Sequence, residues 1–246
     1  MLDRFAYTAM TGAKHAMGQL ANTTNNLANA QTPGFREMLA SFRAVPLRGA
    51  SADSRAFVVD STPGSNFTLG PIVVSEDPLD VAIDGRGFVA VQREDGSEAY
   101  TRSGKMMLGS DGVLRTPTGN SIVNADGGEI VVPAGAKDIV IRADGAVSVT
   151  LSGERSDIGR LKLVDIDPRL LDRALDGLFD PPEVPLAASD SVRVRQGAYE
   201  MSNVNVAGAM VDMIEQNRMF ELNLRMVQVA EQNARSAGAL LSLSRV

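Results

Sequence analysis

Asn25-Asn26-Leu27-Ala28-Asn29-Ala30-Gln31-Thr32-Pro33-Gly34-Phe35-Arg36 is the stretch at which the chain changes character. Asn25, Asn26 and Asn29 are poor helix formers that carry both donors and acceptors. They therefore suit a helix end, where free backbone groups need partners. Pro33 disfavours helix at Thr32, and Gly34 tolerates positive φ, so the helix closes there. Upstream, Phe5, Ala9, Gly12, Ala16, Leu20, Thr23, Leu27 and Ala30 recur at steps of three and four. That is the spacing of one helical face, close to a heptad seam. Most of these residues are small. Such a thin stripe lets another helix approach closely but does not stabilise a helix standing alone.

Downstream, over residues of about 36–200, the texture is that of β structure. Short apolar runs such as Phe88-Val89-Ala90-Val91 and Ile139-Val140-Ile141 alternate with turn dipeptides. Asp84-Gly85, Asp95-Gly96, Asp111-Gly112, Asp126-Gly127 and Asp144-Gly145 come at intervals of about 11–18 residues. Asp-Gly supplies the positive φ values of tight hairpin turns, so these signals predict a meander of antiparallel hairpins. Residues 36–75 are less regular, with Ala-Val-Pro, Gly-Ala-Ser and Ser-Thr-Pro-Gly stretches that suit an extended arm or long loop. Asp180-Pro181-Pro182-Glu183-Val184-Pro185 reads as an irregular return path.

The third texture starts near Asn205. Val206, Met210, Met213, Asn217, Phe220, Leu224, Val227, Glu231, Ala234, Gly238 and Leu241 alternate at steps of four and three, and no Pro follows Asn203. An unbroken helix over 205–243 would be roughly 58 Å long. Its natural partners are the helix at the other terminus and copies of the same chain. The fold class expected is α+β, with long N- and C-terminal helices paired as an antiparallel coiled coil and an antiparallel β-rich middle domain.

Composition narrows the function. The 246 residues contain no Cys, no Trp and one histidine, His15. Thiolate chemistry, disulfides and His-cluster metal sites are excluded. The formal charge of −6 has no runs, which argues against nucleic acid or a polybasic membrane contact. Within residues 1–50, Arg4, Lys14, Arg36, Arg43 and Arg48 outnumber Asp3 and Glu37, so this segment suits packing beside acidic surfaces of neighbours. No stretch reaches the ~18 apolar residues of a membrane span, and no signal-peptide core precedes the first helix. On these grounds the chain reads as cytoplasmic, unless it leaves by a route that needs no cleaved signal.

Enzyme-like features are weak. Gly85-Arg86-Gly87 precedes a strand and lacks a third Gly, so a hairpin is preferred to a dinucleotide loop. Asp165 and Asp167 read as a solvated loop before Pro168, with no base at motif spacing. His15 reads as an exposed or inter-subunit residue. Met210, Met213, Met219 and Met226 read as adaptable packing. No catalytic residue, cofactor or metal is expected. A β-rich binding module on a coiled-coil stalk would need an exposed aromatic cluster, which three Tyr scarcely provide. A hydrolase built on the Asp pair would need a cleft with a partner acid.

The pattern Asn-Asn-Leu-Ala-Asn-x-x-Thr-x-Gly-Phe-Arg over 25–36 resembles the N-terminal signature of the bacterial flagellar rod and hook family. Pro78-Leu79-Asp80-Val81-Ala82-Ile83-Asp84-Gly85-Arg86-Gly87-Phe88, then Tyr100-Thr101-Arg102-Ser103-Gly104 and Asp111-Gly112-Val113-Leu114, resembles that family's shared β domain. Ser202-Asn203-Val204-Asn205 before the long helix resembles its C-terminal signature. Within the family, Arg43-Ala44-Val45-Pro46 and Ser61-Thr62-Pro63-Gly64 look most like a proximal-rod subunit, with the distal-rod subunit as the rival.

The resemblance implies a structural subunit of the flagellar basal-body proximal rod, part of the drive shaft that transmits motor torque. It implies type III export without a cleaved signal peptide and helical assembly in the rod where it crosses the periplasm. The implied partners are copies of itself, other proximal-rod subunits, the distal-rod subunit and the export apparatus. The expected division is a helical rod core of residues 1–35 and 203–246, an arm of 36–75 and a β-rich outer domain of 76–202. The expected assembly interface takes Phe5, Ala9, Leu20, Asn25, Asn26, Leu27, Asn29, Pro33, Gly34 and Phe35 from the first segment. From the last it takes Ser202, Asn203, Val204, Asn205, Met213, Phe220, Leu224 and Val227.

Overall fold

The computed structural model describes residues 2–46, 56–181 and 184–243. Arg48, the Gly-Ala-Ser stretch and Pro182-Glu183 lie outside the described residues, as do the side chains of Phe5, Arg43, Ser61, Gly238 and Leu241. The chain forms two compact units: residues 1–28, 38–64 and 205–246 make unit 1, and residues 29–37 and 65–204 make unit 2.

Unit 1 holds two helices, α1 (Leu2–Ala28) and α2 (Val206–Leu243), and two paired strands, β1 (Met38–Pro46) and β2 (Ala56–Ser65). The arm expected over 36–75 therefore contains extended, hydrogen-bonded backbone. The helices pack against each other. Local chemistry marks where α1 ends and where α2 begins. Asn29 O accepts from Thr32 N–H at 3.0 Å beyond the end of α1, and Asn205 Oδ1 caps α2 by accepting from Gly208 N–H at 3.1 Å.

Unit 2 carries β3 (Ile72–Val74), β4 (Val81–Asp84), β5 (Phe88–Gln92), β6 (Glu98–Thr101), β7 (Met107–Leu108), β8 (Leu114–Arg115) and β9 (Ser121–Ile122). These are followed by β10 (Lys137–Ile141), β11 (Ala146–Leu151), β12 (Glu154–Arg160), β13 (Leu163–Val164), β14 (Asp172–Arg173), β15 (Phe179–Asp180), β16 (Arg193–Gln196) and β17 (Ala198–Glu200). The largest sheet runs β14-β15-β6-β5-β9-β8-β7, with β13 also on β5; β10-β11-β12 is a separate meander; β16-β4 and β17-β3 are two-stranded.

The Phe88-Val89-Ala90-Val91 run is explained by burial on both faces of β5. Val89 and Val91 enter a core with Val81, Ile83, Leu114, Ile122, Val147 and Leu163. Phe88 and Ala90 enter a second core with Tyr100, Val164 and Phe179. Period-two alternation divides one apolar run between two cores. The ring centroids of Phe67, Phe88 and Phe179 lie 5.4–6.4 Å apart, in edge-on or tilted pairs.

All five Asp-Gly glycines take positive φ. Asp95-Gly96, Asp111-Gly112 and Asp144-Gly145 turn the β5–β6, β7–β8 and β10–β11 hairpins, and Asp126-Gly127 turns the chain beneath the Val123–Glu129 bridge. Asp84-Gly85 is different. The expectation of a hairpin there is corrected: β4 pairs β16 and β5 pairs β6, so residues 84–87 form a corner between sheets. Nor is the large sheet a simple meander, because β13, β14 and β15 return to it from late in the chain.

Candidate functional site

The site has two parts, one in each unit. In unit 1 the α1 stripe is as thin as its residues suggest. Ala9, Ala13, Ala16, Thr23 and Asn26 are buried, while Leu20 and Leu27 are half-buried. Asn26 ties the last turn of α1 to the strand that follows. Its Nδ2 donates to Met38 O at 2.9 Å and its Oδ1 accepts from Met38 N–H at 2.7 Å, so one side chain pairs with strand β1 as a backbone would. Asn25 is exposed on α1 and His15 is half-buried.

On α2 the seam expected from the sequence is corrected at alternate positions. Met213, Phe220 and Val227 are half-buried as expected. The positions between them are Ala209, Gln216, Asn223 and Ala230, not Met210, Asn217, Leu224 and Glu231; Ala209, Asn223 and Ala230 are buried. Close approach is the physical reason. The facing stripe of α1 is made of Ala and Gly, and a Cβ added at Gly12 would stand 2.7 Å from Asn223 Oδ1. Asn223 tolerates burial because its Nδ2 donates back to Met219 O at 2.8 Å.

The rotation leaves large apolar side chains outside the pair. Met210, Val211, Ile214, Met219, Leu222, Leu224, Met226 and Val229 on α2 are exposed, as are Tyr7, Met10 and Met17 on α1. Met219 is 56% exposed and Leu222 53%, which is costly for apolar groups left in water.

In unit 2 the ends of the two terminal signatures meet. Gly34 N–H donates to Glu200 O at 2.8 Å, Asn203 N–H donates to Phe35 O at 3.4 Å, and Asn203 Oδ1 accepts from Glu37 N–H at 2.7 Å. Asn203 Nδ2 also donates to Asn66 O and Thr68 O at 2.7 and 2.9 Å. Ser202 is buried, and its Oγ accepts from Val204 N–H at 3.2 Å. Pro33 and Val204 are half-buried, and Asn29 Oδ1 accepts from Thr32 Oγ1 at 3.2 Å. The structure thus brings Gly34 and Phe35 to Asn203. It places Asn26 and Asn205 in unit 1, on partners of their own.

The hub of this meeting was not legible in the sequence. Glu200 is 1% exposed. Its Oε1 accepts from Gly70 N–H at 2.7 Å and pairs with Arg36 at 2.8 Å, while its Oε2 pairs with Arg102. Arg102 Nη1 donates to Gly85 O and Gly87 O at 2.9 and 2.7 Å. The glycine-rich corner therefore offers carbonyls to a cation, the opposite of a phosphate cradle. Burial pushes the Arg36 guanidinium below its usual value, and Glu200 partly offsets this. Arg173 stacks over Phe35 at 4.4 Å, and burial lowers its pKa too. The only sequence signal for Glu200 was a charge between Tyr199 and Met201, beside Ser202-Asn203. Nothing local distinguishes it from a surface residue.

The enzyme-like features take structural places. Asp165 and Asp167 are exposed, and Asp167 Oδ1 accepts from Arg169 N–H at 3.1 Å to cap a short 3₁₀ turn. Among the described residues no group of three His, Asp or Glu is placed to hold a metal, and no helix is long and apolar enough to cross a membrane.

Comparison with known proteins decides the family. The flagellar basal-body rod protein FlgF of Salmonella typhimurium is 40% identical over 254 residues, covering 99% of this chain and 100% of the relative. The chain belongs to the flagellar basal-body rod protein family. FlgF of Escherichia coli is 41% identical, with the same coverage. The rod protein FlgG of Buchnera aphidicola is 32% identical, over 85% of this chain and 88% of the relative. Family models described as flagellar hook protein FlgE/F/G D1 domain and flagellar basal body rod FlgEFG protein C-terminal match residues 82–149 and 195–240. As a rod-family protein the chain is a structural subunit of the flagellar basal body. The first match lies within unit 2, and the second runs from β16 through Glu200 and Asn203 into α2.

Proposed function

We propose that the chain is a non-enzymatic subunit of the proximal rod that transmits motor torque by packing α1 and α2 against copies of itself and other rod subunits. In this reading residues 1–35 and 203–246 are the rod core, 36–75 the arm and 76–202 a β-rich domain. Type III export without a cleaved signal brings the subunit to the envelope. The observation that carries the assembly reading is the row of exposed apolar side chains on α2, from Met210 to Val229. The proximal assignment draws on FlgF relatives at 40% and 41% identity, against 32% for FlgG of Buchnera aphidicola.

The helix pair is an antiparallel coiled coil. Counting along from the Gly12–Asn223 contact, an antiparallel pair sets Ala209 opposite Asn26, and both are buried. A parallel pair would run past the start of α1 before reaching Ala209. A chain without Cys makes both readings testable. In isolated basal bodies, Asn26→Cys with Ala209→Cys oxidises to an intrachain disulfide if the pair is antiparallel, and absence of that cross-link there rejects it. Met219→Gln with Leu222→Gln removes apolar area from the outer face. We expect its incorporation into isolated basal bodies to be lost while the unfolding of unit 2 in solution is unchanged. Normal incorporation would reject the assembly face.

A further inference from the structure

Strands β3 and β4 belong to the first part of unit 2, yet their strand partners come from its last part. Among the described residues β4 pairs β16 alone, and β3 pairs β17 alone. The same late stretch also donates hydrogen bonds to backbone carbonyls elsewhere in the unit. Gln196 Nε2 donates to Pro78 O and Ile139 O at 2.7 and 2.8 Å. Gly197 N–H donates to Asp80 O, and Met201 N–H to Pro71 O. Glu200 then supplies the carboxylate for Arg36 and Arg102, which are 2% and 3% exposed. Without it, two guanidinium cations would be buried together. Chain distances are long: 98 residues for Arg102–Glu200, 130 for Gly70–Glu200 and 166 for Glu37–Asn203. The β5–β6 and β10–β11–β12 hairpins are local. Local hairpins close in microseconds, whereas contacts across long chain separations bear a loop-closure cost before they stabilise anything.

We propose that residues 193–203 are a closing clasp, with Glu200 as its catch, and that unit 2 folds in two stages. The hairpin sheets form first. The clasp docks second and only then orders residues 34–37, 66–74 and 81–84. One close approach shows how tightly it seats: a Cβ at Gly70 would lie 2.2 Å from Met201 O. A chain emerging N-terminus first therefore keeps the opening segment of unit 2 unlatched until Asn203 is free.

The test is pulsed hydrogen exchange during refolding of the full-length chain. Amides of β5, β6, β11 and β12 are expected to gain protection in an earlier phase than Gly34, Gly70, β3, β4 and β17. A single shared phase would overturn the proposal. At equilibrium, Glu200→Gln keeps the shape but removes the charge between two buried arginines. Protection at Gly34, Gly70 and β3 should fall by about a hundredfold, with β11 and β12 little changed. Equal loss throughout unit 2, or none at Gly70, would contradict it. If that variant does not fold, the wild-type refolding order still decides.

Discussion

Gly34 shows how a single residue joins backbone conformation to packing. Its φ is +69°, and a Cβ there would sit 2.1 Å from Ser103 N, among backbone atoms that have no room to move. Gly34→Ala therefore adds a left-handed penalty to a steric overlap. We expect a loss of about 2 kcal/mol or more, read as a lower urea midpoint for unit 2 with an unchanged slope. Glu200 makes the complementary point. A buried carboxylate is tolerable because two arginines and the Gly70 N–H satisfy it.

At the scale of elements, the turns and the long helix each yield a prediction. In the hairpin turns, the side chain of Ser97 holds Asp95 below the usual 3.8, Arg115 does the same for Asp111, and the Ala146 N–H does so for Asp144. A carboxyl depressed in the folded state stabilises above its unfolded value and loses that contribution as pH falls through the folded one. The stability of unit 2 should thus hold down to about pH 4 and decline below it. Replacing the three aspartates by asparagine should flatten that decline in urea midpoints taken against pH. On α2 the inner and outer faces should separate cleanly. Ala230→Leu overfills a buried position, 2% exposed, and should cost about 1–3 kcal/mol of helix pairing. In isolated basal bodies, a lower yield of the Asn26→Cys with Ala209→Cys cross-link would read this as lost pairing. Leu224→Gln lies outside, and should leave that signal unchanged.

For the whole molecule the question is which unit stands alone. Unit 2 has two apolar cores closed by sheets on several sides. Unit 1 has a stripe of Ala, Gly, Thr and Asn on α1, and each such residue removes little area from water at about 25 cal/mol per Å². Ordering a residue costs roughly 1–2 kcal/mol of backbone entropy. The isolated monomer should therefore exchange amide hydrogens quickly across 5–28 and 207–240 and slowly in β5, β6 and β11. Strong protection across both helices in a monomeric sample would contradict this. With fast exchange at both ends, helix formation there is a consequence of assembly, in which neighbours cover Met219, Leu222 and their companions.

Much of the architecture was written in short-range chemistry. The end of α1 at the Asn-Thr-Pro-Gly stretch, the Asp-Gly hairpin turns, the unbroken run of α2 and the small-residue face of α1 all depend on residues within a turn of one another. Sequence reading finds them for that reason. The sequence also carried the family signatures at both ends. Only the tertiary structure decided three things. It turned Ala209, Asn223 and Ala230 inward in place of Met210, Leu224 and Glu231, because the closeness of a facing helix cannot be read from one helix's own periodicity. It made Asp84-Gly85 a corner, because strand partners are chosen by long-range pairing. It placed Glu200 between Arg36 and Arg102, because a charge on a short strand acquires meaning only from the cations that the fold delivers to it.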